Sequence, residues 1–186
     1  MKKIKAVFLD RDGTIIYEKP GTYIADIKDL KFYKNTITAL TQLNKAGFKL
    51  FIVSNQSGIG RGYFTKKHVE NFNKQMTSNL KPAKIEELAY CPHSPSQKCE
   101  CRKPKTMLGK TIIKKYNIDV ENSYMIGDKK SDIDFGLNLN LTPILVKTAN
   151  GKHQIKKYGS KIKAVKVAGL KQAVLVIKRG MKKWKG

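Results

Sequence analysis

The sequence predicts an α/β fold in which a parallel β-sheet lies between two layers of helices. Short apolar runs alternate with amphipathic stretches along all 186 residues, which is the element order of such folds. Polar clusters directly follow three of the apolar runs, where sheets of this kind bind ligands. The length suits one domain with a real hydrophobic core. We assign residues 1–179 to that domain and residues 180–186 to a basic tail.

Six apolar runs are interpreted as strands: residues 4–9, 48–53, 86–90, 124–126, 144–146 and 164–167. Five stretches space their apolar residues as helices do: residues 36–46, 65–80, 106–116, 131–139 and 170–178. Asn35 and Thr65 stand at candidate N-cap positions, and Gly47 stands just past the end of the first helix. This order favours a Rossmann-like, three-layer arrangement.

The charge is strongly positive, with 38 Lys and Arg against 14 Asp and Glu, a net +24. Only four of these cations are arginines, and the lysines are spread from end to end. Nucleic-acid-binding proteins usually place arginines and aromatic rings on one face, and no such stripe is present here. We therefore expect a solvated lysine surface on an enzyme of anionic small molecules, and we do not expect a nucleic-acid partner.

No apolar run reaches the ~18 residues that a membrane span needs. The first apolar run is too short for a signal peptide, and the three cysteines lie within one short segment, unlike a secreted disulfide framework. These features predict a cytoplasmic protein without a membrane partner. We also expect the protein to be a monomer.

Candidate chemistry lies at the predicted strand ends. Asp10 and Asp12 follow the first strand, and residues i and i+2 of an extended chain point to the same side. The second strand runs into Ser54 and Asn55, whose hydroxyl and amide groups suit oxyanions. Asp128 follows the fourth strand and adds a carboxylate for a hard cation. Each cluster alone is ordinary turn chemistry, but three at matching strand ends indicate one site.

These clusters resemble the four motifs of the haloacid-dehalogenase-like phosphohydrolases. The matching segments are Asp10-x-Asp12-Gly13-Thr14, Ser54-Asn55-Gln56, Arg102-Lys103-Pro104 and Gly127-Asp128, over about residues 4–148. Within that superfamily, residues 54–62 and the Cys-x-His…Cys-x-Cys-Arg-Lys-Pro stretch are similar to the heptose 1,7-bisphosphate phosphatases. The histidinol-phosphate phosphatases share the metal loop and the Arg-Lys-Pro.

The resemblance implies hydrolysis of a phosphate monoester through an aspartyl-phosphate intermediate. It makes Asp10 the nucleophile and Asp12 the proton donor and acceptor. Mg²⁺ would be held by Asp10, Asp128 and the backbone carbonyl of Asp12. Ser54 and Lys103 would hold the phosphoryl oxygens.

Further residues are expected to contact substrate: Arg11, Asn55, Gln56, Ser57, Arg102 and Lys129. The resemblance adds Glu18, Gly21 and Tyr23 as contacts to sugar hydroxyls, although Lys19-Pro20 departs from the family pattern there. Asp132 is interpreted either as a residue that orients Lys103 or a metal-bound water, or as an ordinary helix N-terminal acid.

A second constellation combines all three cysteines with a histidine: Cys91, His93, Cys99 and Cys101. Each pair is spaced i, i+2, and five residues between the pairs allow the chain to turn back. Three thiolates and one imidazole form the closed set typical of structural Zn²⁺. The sequence thus predicts a zinc loop over residues 91–101 that aims the following Arg102 and Lys103 at the active site.

The gaps between the motifs are too short for the cap domain of larger superfamily members, so a capless, open site is expected. Removal of the C7 phosphate of D-glycero-D-manno-heptose 1,7-bisphosphate is the leading hypothesis. Histidinol-phosphate phosphatase is the first alternative, because the short Lys103-Pro104-Lys105 form resembles that branch. A polynucleotide 3′-phosphatase or nucleic-acid-binding protein is the second, and it depends on net charge alone.

Overall fold

A computed structural model of the protein describes residues 3–19 and 21–180. Its strands are β1 (Ala6–Leu9), β2 (Lys49–Asn55), β3 (Ile85–Cys91), β4 (Tyr124–Gly127), β5 (Thr142–Val146) and β6 (Val165–Val167). Its α-helices are α1 (Thr36–Lys45), α2 (Ser57–Gly60), α3 (Lys66–Asn79), α4 (Met107–Tyr116), α5 (Lys130–Asn138), α6 (Gly151–Tyr158) and α7 (Leu170–Lys178).

The six strands form one parallel sheet in the order β3-β2-β1-β4-β5-β6. The chain moves outward from β1 to β3 on one side and then returns to place β4 on the other side of β1. Such a reversal leaves a crevice at the carboxyl ends of the two central strands, where open α/β sheets bind ligands. The predicted parallel α/β fold is confirmed.

Both faces of the sheet are covered by helices because side chains alternate along each strand. Val7 and Leu9 of β1 pack with α1, α3 and α7 on one face. Ala6 and Phe8 pack with α4 and α5 on the other face. Burial on both faces explains why β1 is an uninterrupted apolar run. Its carboxyl end is therefore a rigid support for the residues that follow.

Several predicted boundaries need correction. β2 continues through Asn55, so Ser54 and Asn55 belong to the strand rather than to a loop after it. Helices α2 and α6 were not predicted: α2 is only four residues long, and α6 buries only Gly151 among its own residues. A helix that buries so little lacks the apolar periodicity on which sequence prediction depends.

Two of the three predicted helix-end residues have the expected role, whereas the third stands at the helix end without a side-chain capping bond. Thr65 caps α3, since its hydroxyl accepts a hydrogen bond from the backbone N–H of His68. Gly47 has a left-handed φ of 85° after α1. Asn35 begins α1 in the left-handed region, with a φ of 68° and no side-chain capping bond. Asparagine tolerates that conformation better than most residues, and this tolerance is its role here.

The connections within the described residues contain few elements of regular structure. Between β1 and α1 there is one 3₁₀ turn, Ile27–Asp29, and between β2 and β3 there are only α2 and α3. None of the helices in residues 3–19 and 21–180 has the length and apolarity to cross a bilayer. The assignment of residues 1–179 to one domain stays a prediction, and most of the predicted basic tail, residues 181–186, lies outside the described residues.

Candidate active site

A cavity of about 250 Å³ opens at the carboxyl ends of the central strands. All predicted catalytic and substrate-contacting residues line it: Asp10, Arg11, Asp12, Glu18, Gly21, Tyr23, Ser54, Asn55, Gln56, Ser57, Arg102, Lys103 and Lys129. Asp128, the remaining predicted Mg²⁺ ligand, is fully buried beside it. Residues from widely separated parts of the chain thus converge on one place, as the strand-end argument predicts.

Three carboxylates form what we name the carboxylate centre: Asp10, Asp128 and Asp132 each offer an oxygen, and these oxygens lie within 4.8 Å of one another. The Oδ2 atom of Asp128 accepts hydrogen bonds from the backbone N–H and the side-chain amide of Asn150, at 2.9 and 3.1 Å. Its Oδ1 atom is buried and has no hydrogen-bond partner among the described residues. A buried carboxylate oxygen without a donor is the acceptor that a cation would fill.

Asp132 is already engaged by the protein. Its Oδ1 atom lies 2.8 Å from Nζ of Lys103, and its Oδ2 atom accepts a hydrogen bond from the backbone N–H of Lys129 at 3.0 Å. Both oxygens therefore hold neighbouring cationic residues in place. This geometry favours an orienting role for Asp132 over direct metal ligation.

The buried charges of the site do not balance. Four carboxylates are buried, from Asp10, Asp12, Asp128 and Asp132, whereas the buried cations are Arg11 and Lys103. Burial raises the pKa of Asp128 to about 8 and, against the opposing charge of Lys103, that of Asp10 to about 6. When all four carboxylates are ionised they exceed the two buried cations by two negative charges, so a divalent cation with oxygen ligands, such as Mg²⁺, would balance them as it displaces the protons.

The carboxylate of Asp12 pairs with Arg11 and is not part of the carboxylate centre. The guanidinium donates to both carboxylate oxygens, at 2.8 and 2.9 Å, and the amide of Gln56 donates to Oδ2 at 2.6 Å. Burial would raise the pKa of Asp12, but the charge and hydrogen bonds of Arg11 outweigh burial and lower it. Asp12 is therefore an ionised, oriented carboxylate, 7% exposed at the edge of the cavity.

Lys103 lies under the cavity and is only 3% exposed. Its ammonium contacts Asp10 Oδ1 at 2.7 Å as well as Asp132. Burial would lower the pKa of Lys103, but these two carboxylates outweigh burial and raise it. The side chain is therefore a fixed positive charge beside the predicted nucleophile, where it can bind a phosphoryl oxygen.

Three of the predicted substrate contacts are also bonded to other residues of the site. The side-chain amide of Asn55 pairs with the backbone N–H and carbonyl of Lys103, at 3.0 and 3.1 Å. The amide of Gln56 joins Ser54 and Asp12, and the guanidinium of Arg11 is bonded throughout to protein acceptors. These bonds show that the three side chains hold other residues of the site in place, and their contact with substrate stays a prediction. Sequence alone does not show which way such side chains turn.

The outer wall of the cavity carries Glu18, Lys129, Gly21 and Tyr23. Lys129 Nζ lies 3.1 Å from Glu18 Oε2. Burial raises the pKa of Glu18 to about 7, more than the charge of Lys129 lowers it. Tyr23 is 42% exposed and packs edge-on against the ring of Tyr63 at 5.1 Å. This wall combines a cation, a carboxyl group and an aromatic face, and is suited to a polar ligand with hydroxyl groups.

The second constellation, which we name the thiol cluster, consists of Cys91, His93, Cys99 and Cys101. The sulfur and Nδ1 atoms lie within 4.8 Å of one another, with five pairs at 3.1–3.7 Å. A tetrahedron of zinc–sulfur bonds of ~2.3 Å has edges of about 3.7 Å. The three thiols are free, and hydrogen bonds from the other two overcome burial and lower the pKa of Cys99 to about 7.

The loop that carries the thiol cluster is tied to the cavity. The backbone N–H of Gly60 donates to the carbonyl of Pro92 at 2.9 Å, and Arg102 donates to the carbonyl of His93 at 3.3 Å. A Cβ atom on Gly60 would lie 2.5 Å from the backbone nitrogen of Ser94, so only glycine allows this approach. The loop thus packs directly against helix α2, which follows β2.

Asn150 is a site residue that the sequence analysis missed. It lines the cavity and holds Asp128 by two hydrogen bonds. The signal that could have found it is its place shortly after β5, which is the same edge of the sheet as the other polar clusters. Neighbouring Thr148 strengthens this edge, since its hydroxyl donates to the carbonyl of Gly13 at 2.6 Å.

Comparison with known proteins gives consistent results. The family model described as "Polynucleotide kinase 3 phosphatase" matches residues 5–158. A D-glycero-beta-D-manno-heptose-1,7-bisphosphate 7-phosphatase of Pseudomonas putida is 33% identical over 156 residues, which are 83% of this chain and 89% of that protein. The histidine biosynthesis bifunctional protein HisB of Campylobacter jejuni is 40% identical over 140 residues, 74% of this chain and 40% of that protein.

Among solved structures, the D,D-heptose 1.7-bisphosphate phosphatase from B. bronchiseptica, complexed with magnesium and phosphate, superposes with a TM-score of 0.88. It covers 96% of this chain and 100% of that chain at 23% identity, and this similarity shows the fold. The family match, the close relatives and the predicted motifs agree with one another. The chain belongs to the haloacid-dehalogenase-like phosphatases, in the family of the polynucleotide kinase 3 phosphatase model.

Proposed function

We propose that this phosphatase removes the C7 phosphate of D-glycero-D-manno-heptose 1,7-bisphosphate through an aspartyl-phosphate intermediate. The observation that carries the chemistry is Asp10, a buried carboxylate 2.7 Å from the ammonium of Lys103 and close to Asp128, whose Oδ1 atom has no hydrogen-bond partner among the described residues. The choice of substrate is supported by the relatives named as heptose bisphosphate phosphatases, at 33–41% identity.

Mg²⁺ fits the carboxylate centre because of the buried excess of negative charge and the unpartnered oxygen of Asp128. Asp10, Asp128 and the backbone carbonyl of Asp12 would hold it. The bound cation would reduce the repulsion between an anionic nucleophile and a dianionic phosphate ester.

The chain's own residues would perform two displacements. In the first, a carboxylate oxygen of Asp10 bonds to phosphorus, the bond to the leaving oxygen breaks, and that oxygen takes a proton from Asp12. In the second, Asp12 takes a proton from water, whose oxygen bonds to phosphorus and releases Asp10 and inorganic phosphate. Ser54 and Lys103 would hold phosphoryl oxygens in both steps.

The low pKa of Asp12 suits the second displacement directly, because an ionised carboxylate accepts a proton. For the first, Asp12 must gain a proton when substrate binds. A dianionic phosphoryl group beside it favours that, since a nearby like charge raises the pKa of a carboxyl group. The proton would then pass to the leaving oxygen.

Zn²⁺ fits the thiol cluster, whose soft ligands and near-tetrahedral spacing select it. All four ligand positions come from the protein, which is the composition of structural rather than catalytic zinc sites. We propose that it fixes the loop of residues 91–101 and, through that loop, Arg102 and Lys103.

Histidinol phosphate is the second candidate substrate, because the chain is also 40% identical to HisB of Campylobacter jejuni. The test is a comparison of kcat/KM with Mg²⁺ for heptose 1,7-bisphosphate, fructose 1,6-bisphosphate, histidinol phosphate and a 3′-phosphorylated oligonucleotide. The proposal predicts the highest value for the heptose ester. A higher value for histidinol phosphate or the oligonucleotide would replace the proposed substrate.

A further inference from the structure

Arg11 follows the nucleophile in the chain but its side chain is completely buried. Its guanidinium lies over the ring of Phe72 in α3, with Cζ 4.8 Å from the ring centroid. An arginine is seldom buried without partners, because its charge must be compensated. The residues that compensate it therefore indicate what it does.

The guanidinium of Arg11 connects Asp12, the proposed proton donor and acceptor, to three other parts of the chain. Its Nε and Nη2 atoms form a two-point contact with the carboxylate of Asp12, at 2.9 and 2.8 Å. Nη2 also donates to Gln56 Oε1 and to the carbonyl of Ile24, both at 2.9 Å. Nη1 donates to Asn73 Oδ1 in α3 at 2.7 Å.

We infer that Arg11 is a positioning residue that acts through Asp12, fixing the plane and direction of the carboxylate that transfers protons in both displacements. The inference rests on the proposed function. A two-point contact of a planar guanidinium with a carboxylate defines an orientation, which the single ammonium of a lysine does not. The contacts with Gln56, Asn73 and Ile24 keep the guanidinium itself from turning.

This role has a kinetic signature that general loss of structure lacks. An alkyl alcohol must receive a proton as its bond to phosphorus breaks, so its departure depends on where Asp12 points. p-Nitrophenolate leaves without a proton. The rate at which p-nitrophenyl phosphate phosphorylates the enzyme therefore does not depend on the direction of Asp12. The second displacement depends on Asp12 for every substrate, because the attacking water must lose a proton.

The experiment compares Arg11→Lys and Arg11→Met with Arg179→Met, the same truncation at an exposed arginine after α7. Rapid-quench and stopped-flow kinetics are measured with p-nitrophenyl phosphate and with the alkyl phosphate that the unmodified enzyme hydrolyses fastest.

For both Arg11 variants we expect a p-nitrophenolate burst whose rate is within about fivefold of that of the unmodified enzyme, followed by slow turnover. With the alkyl ester, the first displacement should slow by about 100-fold or more. Arg179→Met should match the unmodified enzyme throughout.

A double-variant cycle with Asp12→Asn separates this inference from a purely structural role. If Arg11 acts through Asp12, adding Arg11→Met to Asp12→Asn should cause little further loss. Equal slowing of the burst and of the alkyl reaction, unchanged kinetics, or a full additional loss in the double variant would overturn the inference. Melting temperatures report whether the variants fold. If Arg11→Met does not fold, the same comparison is made with Arg11→Lys. An unmodified enzyme without activity on any phosphate monoester would instead refute the proposed function.

Discussion

The carboxylate centre and the thiol cluster are both groups of potential metal ligands, but the fold builds them in opposite ways. Asp10 and Asp128 are 118 positions apart and meet only because β1 and β4 are neighbours in the sheet. The thiol cluster lies within residues 91–101, at the last residue of β3 and in the single loop that follows it. The first therefore depends on the whole core, whereas the second depends on local turns and on the ligand that joins them.

Their chemistry differs in the same way. The carboxylate centre has hard oxygen ligands, and the buried Oδ1 atom of Asp128 has no hydrogen-bond partner in the part of the chain that the structure describes. Such a centre suits an exchangeable cation and a reacting substrate. The thiol cluster has a closed set of soft ligands, which suits a cation that is retained. We expect dialysis of the purified protein to leave one Zn²⁺ per chain and to remove Mg²⁺.

The largest effect is expected when a substitution disrupts the carboxylate centre alone. Asp10→Asn should lower kcat by at least about four orders of magnitude, because an amide neither attacks phosphorus nor carries the negative charge that binds the cation. Zinc content and melting temperature should stay close to those of the unmodified protein. Steady-state turnover and elemental analysis of the same preparation test this. Substantial residual turnover would refute the nucleophile assignment.

A smaller loss is expected when only the thiol cluster is broken. Cys99→Ser should lose its zinc and reduce kcat/KM by about 100-fold, because a shift of about 1 Å in Arg102 and Lys103 costs roughly that much. Ser96→Ala, a truncation in the same loop outside the cluster, is the matched control. The sheet should stay folded, since its core does not include the loop. A zinc-free variant with unchanged kinetics would show that the two centres are independent.

The pH dependence of Mg²⁺ binding sharpens the comparison further. Because the pKa of Asp128 is about 8 and that of Asp10 about 6 without metal, Mg²⁺ must displace protons. Its affinity should rise by up to about tenfold per pH unit between pH 6 and 8. Calorimetry in buffers of different ionisation enthalpy measures the protons released. An affinity independent of pH over this range would contradict the assignment of these ligands.

The same pKa shifts determine how the stability of the metal-free protein changes with pH. Both folded-state values exceed the ordinary value of 3.8, so the contribution of these groups to metal-free stability is complete below about pH 4. It is lost as pH rises through about 6 and about 8. Saturating Mg²⁺ should therefore raise the melting temperature more at pH 8 than at pH 6.

The smallest expected effect concerns the support of Asp128. Asn150→Ala removes one of the two hydrogen bonds to its Oδ2 atom and should weaken Mg²⁺ binding by about tenfold. Turnover at saturating Mg²⁺ should change much less, because the backbone donor stays. Asn122→Ala, on the exposed turn before β4, is the control. A loss at saturating Mg²⁺ as large as the loss of affinity would indicate a direct role in the reaction.

The two centres also show which site residues can be predicted from the sequence alone and which cannot. Asp10 and Asp128 were predicted from polar residues that follow apolar runs, and the thiol cluster from local spacing of soft ligands. Asn150 was missed because α6 buries too little to be recognised, which left the segment after β5 as an ordinary loop. The inward turn of Arg11 depends on Phe72 and Asn73, the latter 62 positions away, and no local pattern contains that information.

The most direct test of the account is to trap the phosphorylated enzyme. A single turnover with Mg²⁺, quenched in acid within the burst phase and analysed by peptide mass spectrometry, should place one phosphoryl group on Asp10. The signal should disappear in Asp10→Asn and last longer in Asp12→Asn, which lacks the base for the second displacement. Phosphate release without any phosphorylated enzyme, or a phosphoryl group on another residue, would contradict the central claim.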